Sequence, residues 1–402
     1  REDGDLTSLN GDEKIEVQYE VPFTSHATME PMNCVAHVKK NSCEIWAPTQ
    51  SPQRVQTTAA NALGIDTKNV IVHITMLGGG FGRRLWADFV TDAIQVSQKS
   101  KKPVKLMWTR EDDMGHDFFR PTSIHKLSAT LSSQHELTSW THRVIAPSIS
   151  GQMAPERFKD GQLDRSAVNG ASNIPYDISN VLVDYVMANT KVPVGWWRSV
   201  YNSQNAFANE GFIDELAQKA GTDPYQFRLN LLKNAPRHLG VLKLAAEKAN
   251  WGKKMAKRQG MGIALHESFG SWAAHVAEIT VTKTGELSID KIVAAVDCGL
   301  VVNPDGVKAQ MESAIVYGLT STLKGLITIE KGAVAQSNFH EFELLRIDEM
   351  PEVEVYIVKS AEPPGGAGEP GLPPVAPAVT NAIFAATGKR IRSLPIRPKD
   401  LI

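Results

Sequence analysis

Between Glu362 and Val379 the chain reads EPPGGAGEPGLPPVAPAV. Proline lacks an amide donor and fixes φ, while glycine admits conformations closed to other residues, so this stretch continues neither a helix nor a central strand. It must be an irregular loop, and a stiff one. The pattern that follows, PAVTNAIFAATGKRI, is helical, which makes the loop a lead-in to a helix with Glu369 at its centre. A loop glutamate is ordinarily just solvated. A carboxylate fixed at a helix start has a second use, because it can take a proton in step with a nucleophilic attack.

Elsewhere the elements alternate. KIEVQYEV reads as a strand, and NVIVHITML, Asn69 to Leu77, is a β-branched run ending at GGGFGRR. DFVTDAIQVSQKS then has helical spacing at Phe89, Ala93, Ile94 and Val96, so the order is strand, glycine loop, helix. PVKLMWTR and HKLSATLSS predict further strands. A long helix is expected over Asn205–Lys219, with apolar Phe207, Phe212, Ile213 and Leu216. TDPYQFRLNLL predicts another, capped by Asp223 with Pro224 in its first position. AAHVAEITVTKTGELSIDKIVAAV predicts a hairpin turning at Lys283-Thr284-Gly285, VKAQMESAIVYGLTSTLKG a helix and VEVYIVKS a strand. No repeat of fixed period occurs, and the mixture gives an α/β or α+β class. Residues 1–14 read as a solvated tail. The lysine-rich stretch 236–258 reads as a helix plus linker between a first domain, 15–235, and a second, 259–402.

A formal charge of -1 over 402 residues, with no basic block beyond short pieces such as Lys99, Lys101, Lys102 and Lys105, argues against a nucleic-acid partner. No apolar run approaches the ~18 residues of a membrane span, and no signal-peptide pattern is visible. The chain opens on Arg1, which suggests a processed product or a fragment. Its cysteines are Cys34, Cys43 and Cys298. They form no CxxC, so a structural zinc site is not expected, and they are too few to ligate an iron–sulfur cluster within this chain. Cys34 and Cys43 either pair in an oxidising compartment or stay as buried thiols, the commoner state of free cysteine.

The local motifs are ambiguous singly. GGGFG, Gly78 to Gly82, is either a turn or a place where backbone approaches an anion or a bulky cofactor; it lacks GK[ST] and fails GxGxxG. VGWWRSVYN puts Arg198 beside Trp196 and Trp197, and FFRP puts Arg120 after two phenylalanines. Such runs suit a flat aromatic substrate, or a core. His266 and Glu267 lack the second histidine of HExxH. SxxK at Ser321 and KTG at Lys283 stand in the wrong order for a penicillin-binding acylase, so KTG reads as a hairpin turn.

Together the pieces are far more specific. GGGFGRR, WTREDD with a following FRP, WRSVYNSQNAF, VDCGLVVNP and GEPGLPPVAPA occur in the order seen in the molybdenum hydroxylases. Over residues 15–400 the chain resembles the molybdopterin-binding large subunit of the xanthine dehydrogenase superfamily, most closely its isoquinoline 1-oxidoreductase β-subunit and periplasmic aldehyde dehydrogenase branch. The resemblance implies an α+β fold of molybdenum cofactor-binding domains, with mixed sheets and packed helices. It implies that Glu369 is the base that activates a molybdenum-bound hydroxyl for attack on an electron-poor carbon, with water as the oxygen source. Gly79, Gly80, Phe81, Gly82, Arg83 and Gly368 are then expected at the cofactor, and Arg120, Trp196, Trp197, Arg198 and Val200 at the substrate. Molybdenum is held in that family by the pterin dithiolene, with no protein side chain as ligand, and the cytosine dinucleotide form is implied. Trp196 replaces a small alanine of the xanthine-oxidising members and Val200 an aromatic residue, which favours N-heterocyclic aromatics or aldehydes over purines.

The resemblance also implies partners. No GQG run occurs, whereas the related enzymes carry an MGQG cofactor loop, so a complementary N-terminal chain is expected to supply it. A small [2Fe-2S] subunit is expected to take the electrons, with a cytochrome c as a further candidate, in the periplasm. Expressed alone, the chain is expected to expose a large apolar face and bind cofactor poorly. The competing reading is a non-catalytic scaffold or assembly subunit that keeps the fold.

Overall fold

The computed structural model describes residues 1–5, 13–158 and 162–402. Three mixed sheets organise it. The first has five strands in the order Glu2–Asp3, Asn180–Met187, Leu137–Ala146, Ser123–Leu131, Glu13–Val21, antiparallel apart from the parallel pairing of Leu137–Ala146 with Asn180–Met187. The second has four, Val70–Ile74, Cys43–Ala47, Asn33–Val38 and Val104–Met107, with Val70–Ile74 a parallel edge strand. The third runs Gln259–Ser268, Ser271–Val281, Leu287–Asp297, Glu352–Ile357. Mixed sheets with segregated helices make the class α+β.

The second sheet has its own core, where Cys34, Ile45 and Val70 alternate inward against helices Pro52–Leu63 and Asp88–Ser100. The first and third sheets share one larger core, which runs through the helix Asn202–Lys219. That helix is buried nearly all round, and its buried amides donate while its carboxylates accept. Gln204 donates to Pro121 O at 2.6 Å, Asn205 to Asn169 O at 2.7 Å, and Asn209 to Gly170 O at 2.8 Å. Glu210 accepts from Arg228 at 2.9 Å and from the Leu265 amide at 3.0 Å, while Glu215 meets Tyr19 and Arg392.

Most expected elements stand near their expected bounds. The hairpin turns at Gly285, whose φ of 85° suits glycine. Asp223 accepts from the amides of Tyr225 and Gln226, capping Pro224–Leu231. One expectation changes. Glu2–Asp3 pairs with Val181 and Leu182, so the start of the expected tail is tied to the first sheet, while residues 6–12 lie outside the described residues. The segment 236–258, read as a helix plus linker, does carry a helix, Pro236–Lys248, whose Val241, Leu242, Ala245 and Ala246 are buried against the third sheet. Its weak periodicity reflects lysines on the solvent side of a packed helix.

Cys34, Cys43 and Cys298 are buried free thiols. Burial pushes Cys34 up to about 12 and Cys43 to about 11. Ser321 and Thr322 are buried within the helix Pro304–Leu323, both donating to Gly318 O, and Lys324 pairs with Glu349. This is no acylase site. His266 is a buried partner of Asn202, 3.0 Å apart.

Candidate active site

Three loops that lead into helices or helical turns meet around one cleft of about 580 Å³. The glycine loop brings Gly80, Phe81 and Gly82 from the end of Val70–Ile74; the segment before Asn202–Lys219 brings Trp196, Arg198 and Val200; the glycine- and proline-rich loop before Val375–Thr387 brings Gly368 and Glu369. The sequence separates these pieces widely, and the fold closes them on one another.

The carboxylate loop is held at several points. Gly365 donates to Cys298 O at 2.9 Å and Gly366 to Phe269 O at 2.8 Å. Arg198 Nε donates to Gly368 O at 2.8 Å, its Nη2 reaches the same carbonyl, and its Nη1 donates to Ser313 Oγ at 3.0 Å. Ser199 grips Glu369 twice, its amide donating to Oε1 and its hydroxyl to the backbone carbonyl, each at 2.8 Å. Among the described residues Oε2 has no hydrogen-bond partner, which leaves it free to take a proton. Burial raises the Glu369 carboxyl above its ordinary value, against the smaller opposing effects of the Ser199 amide and the Arg198 guanidinium.

The surrounding backbone is strained. Phe81, Ser199, Val200 and Phe269 have φ of 53°, 72°, 51° and 55°, a left-handed region that non-glycine residues rarely occupy, and all four lie within or beside this cleft. At Gly82, with φ of 111°, an added Cβ would fall 1.5 Å from Trp196 O, so only glycine allows the two loops to touch. Gly368 is different: a Cβ there would point into open space, with nothing nearer than Gln310 Oε1 at 3.8 Å.

Not every expected residue lines the cleft. Arg120 is buried behind it, stacked on the Trp197 ring at 4.8 Å, and burial lowers its guanidinium to about 9. Trp197 is buried too, stacked on Tyr317 at 4.8 Å and donating to Ser25 O. Trp196 lines the cleft, while Trp197 is buried in the interior. Arg83 is a buried strut, held in a two-pronged pair by Asp88 at 2.9 and 2.7 Å and near Asp117. Gly79 is engaged by its carbonyl, which accepts from Arg84 Nε at 2.7 Å.

Other residues complete the wall. Gln50 accepts from the Gly82 amide at 3.1 Å. Gln310 and Ser313 lie one turn apart on Pro304–Leu323, while Leu77, Leu85 and Phe269 add apolar surface. Helical spacing relates Gln310, Ser313 and Tyr317, but no motif marks that face as the one turned to the cleft. A larger hollow, about 680 Å³, lies on the first sheet among charged residues such as Lys14, Glu16 and Arg143. None of the groups just described reaches it.

Comparison with known proteins places the chain in a family. Two family models, each described as a molybdopterin cofactor-binding domain, match residues 2–232 and 238–351. The chain is 32% identical to the isoquinoline 1-oxidoreductase subunit beta of Brevundimonas diminuta, over 96% of this chain and 50% of that protein. It is 34% identical to the membrane-bound aldehyde dehydrogenase [pyrroloquinoline-quinone] of Gluconacetobacter polyoxogenes, over 96% and 53%. It thus spans about half the length of these curated relatives. Among solved structures, quinoline 2-oxidoreductase from Pseudomonas putida 86 superposes with a TM-score of 0.85 at 14% identity, over 99% of this chain and 77% of that one. The aldehyde oxidoreductase of Desulfovibrio gigas gives 0.82 at 16%, over 100% and 62%. At such identities the likeness is one of fold. The family models and relatives place the chain by descent: it belongs to the molybdopterin-binding large subunits of the xanthine dehydrogenase family.

Proposed function

We propose that this chain forms the catalytic half of a molybdenum hydroxylase, inserting oxygen from water at an electron-poor carbon of an N-heterocyclic aromatic or an aldehyde. The observation that carries the reading is Glu369, a buried carboxylate with one oxygen held by Ser199 and the other free, facing a cleft walled by glycine backbone. The cleft suits a molybdopterin group held through its organic part. Its polar side chains are mainly amides, a hydroxyl and a guanidinium around one carboxylate, and the absence of a Cβ at Gly368 leaves room beside Glu369. Among the described residues no group of three or more His, Cys, Asp or Glu side chains is arranged to hold a metal ion. Gly80, Phe81, Gly82 and Gly368 would line the group, with Gln50 and Gln310 as hydrogen-bonding partners.

When bound, the molybdenum–molybdopterin group supplies the two-electron acceptor for the reaction. The protein's own part is positional and protonic. Glu369 takes a proton at Oε2, and burial makes its carboxyl hold that proton more tightly than an ordinary carboxylate would. Arg198 fixes the carbonyl beside it and favours the ionised carboxylate. Trp196 and Val200 shape the space where a flat substrate lies, and Phe269 closes its far side. Arg120 and Trp197 support that wall from behind.

The finer features extend the reading: the cytosine dinucleotide form of the pterin, a complementary chain carrying a second cofactor loop, a [2Fe-2S] subunit with or without a cytochrome c, a periplasmic location, and two cofactor-binding regions meeting near residues 236–258. The names of the relatives support the two substrate classes and an origin in multi-subunit enzymes. Metal analysis and identification of the released pterin nucleotide, on protein purified with its partners, test the proposal. About one molybdenum per chain and dye reduction by heterocycles or aldehydes support it; no molybdenum in the full assembly would favour the scaffold reading.

A further inference from the structure

We propose that the exposed edge of the strand Val70–Ile74 receives an extended β-segment from the remainder of the enzyme, completing the second sheet beside the glycine loop. The inference rests on the reading above, in which this chain works with a complementary polypeptide. Among the described residues the strand is paired on one side only, with Cys43–Ala47. The Thr75 amide donates to Ala47 O at 3.2 Å and so points into the sheet. Backbone amides alternate along a strand, which turns those of Val72 and Ile74 outward, away from Cys43–Ala47.

The side chains tell the same story. Ile71, Ile74 and Met76 are 55%, 59% and 95% exposed. The run VIVHITML contains no Lys, Arg, Asp, Glu or Pro, the residues that ordinarily blunt an edge, and its one histidine is occupied by Glu44 and Trp46. An uncharged, β-branched edge of this kind aggregates unless something covers it. Outward amides in a row are satisfied by an extended chain and by no helix face or loop. The relatives are about twice as long as the region they share with this chain, so polypeptide enough to supply that segment is part of their architecture.

Placement gives the pairing a consequence. The edge runs through Thr75 and Met76 into Leu77, which lines the cleft, and on to Gly78, whose amide is held by Glu30 at 2.8 Å. A strand laid along 70–76 immobilises the segment that feeds the cofactor loop, so that assembly and cofactor retention are coupled.

Hydrogen–deuterium exchange over residues 70–77, compared between this chain alone and the full assembly, tests the proposal. Exchange at least about tenfold slower in the assembly is expected. Ile74→Pro, which removes an outward amide, and Met76→Glu, which charges the edge, are each expected to lower co-purification of the complementary polypeptide at least about tenfold. Thermal melting of the isolated variants checks that they fold, and Met76→Glu, whose side chain is almost fully exposed, keeps the test open if the proline variant does not. Equal exchange in both forms, or wild-type co-purification of a folded Met76→Glu, overturns the inference. So does protection of 70–77 that appears in the isolated chain as its concentration rises, which would show self-pairing. The molybdenum content of the wild-type assembly reports separately on the functional reading.

Discussion

Replacing Glu369 with glutamine separates the chemistry of this residue from its place in the fold. The amide keeps the shape of the side chain and retains an oxygen for the Ser199 N–H, which donates at 2.8 Å, so the loop has no reason to move. What is lost is the capacity of Oε2 to hold a proton. A positioned general base contributes about 10² to 10⁴ in rate, or roughly 2.7 to 5.4 kcal/mol, and turnover is expected to fall by that much at equal molybdenum content. Stability should move the other way. Burial holds the folded pKa above the unfolded one, so the folded chain binds this proton the more tightly. The resulting stability is present below the ordinary carboxylate pKa and is lost as pH rises through the raised value. At neutral pH the ionised carboxylate therefore costs stability that glutamine does not. The variant, cofactor-free, is expected to melt at or above the wild-type temperature at neutral pH and to lose that advantage in acid. Dye-reduction kinetics normalised to molybdenum, with melting curves across pH, measure both. Turnover within about tenfold of wild type would refute the assignment.

Arg198→Met removes a guanidinium that favours ionised Glu369, so the carboxyl pKa should rise further and the acid limb of kcat/KM should move to higher pH; equal loss at every pH would mean that Arg198 acts only as a strut. Gly82→Ala forces a Cβ against Trp196 O and is expected to cost at least about 2 kcal/mol in urea denaturation, whereas Gly368→Ala, with open space around its Cβ, should keep stability and lose molybdenum. Arg120→Met deletes a buried cation that has no carboxylate partner among the described residues. Stability should hold or rise, and kcat/KM should stay within a few-fold; a large rise in KM alone would return Arg120 to the substrate site.

Much of the site was legible because its constraints are local. A run of glycine and proline around Glu369 excludes regular structure whatever surrounds it, and the β-branched run before Gly78 ends where its glycines begin. Side-chain direction was not legible. Nothing in WWRS tells Trp196 from Trp197; partners distant in sequence, Tyr317, Ser25 and Arg120, hold the second ring inward. Arg83 and Arg120 stand next to motif residues in the chain, yet their neighbours are Asp88 and Trp197, brought near by folding. Gln50, Gln310, Ser313 and Phe269 come from separate elements, each unremarkable alone. The strands Asn33–Val38 and Cys43–Ala47 are only six and five residues long, too short for their alternation to stand out from neighbouring loop residues in the sequence.

The helix Asn202–Lys219 explains why so polar a motif sits at the centre of an apolar core. Its apolar face accounts for packing but not for register, since greasy surfaces can slide past one another at little cost. Hydrogen bonds cannot. Glu210 joins Arg228 and the Leu265 amide, and Asn381, on the helix that follows the Glu369 loop, donates to both Glu210 O and Ile263 O. One end of this network leads back to Trp196–Val200 and another to Gly368–Glu369, the two loops joined through Ser199 and Arg198. Removing one partner of such a buried pair typically costs about 3–5 kcal/mol, more than an apolar core of the same volume would risk. The gain is positional: a displacement of about 1 Å at a reacting group can cost about 10² in rate, so the two loops that shape the carboxylate's surroundings are set by bonds that tolerate no sliding.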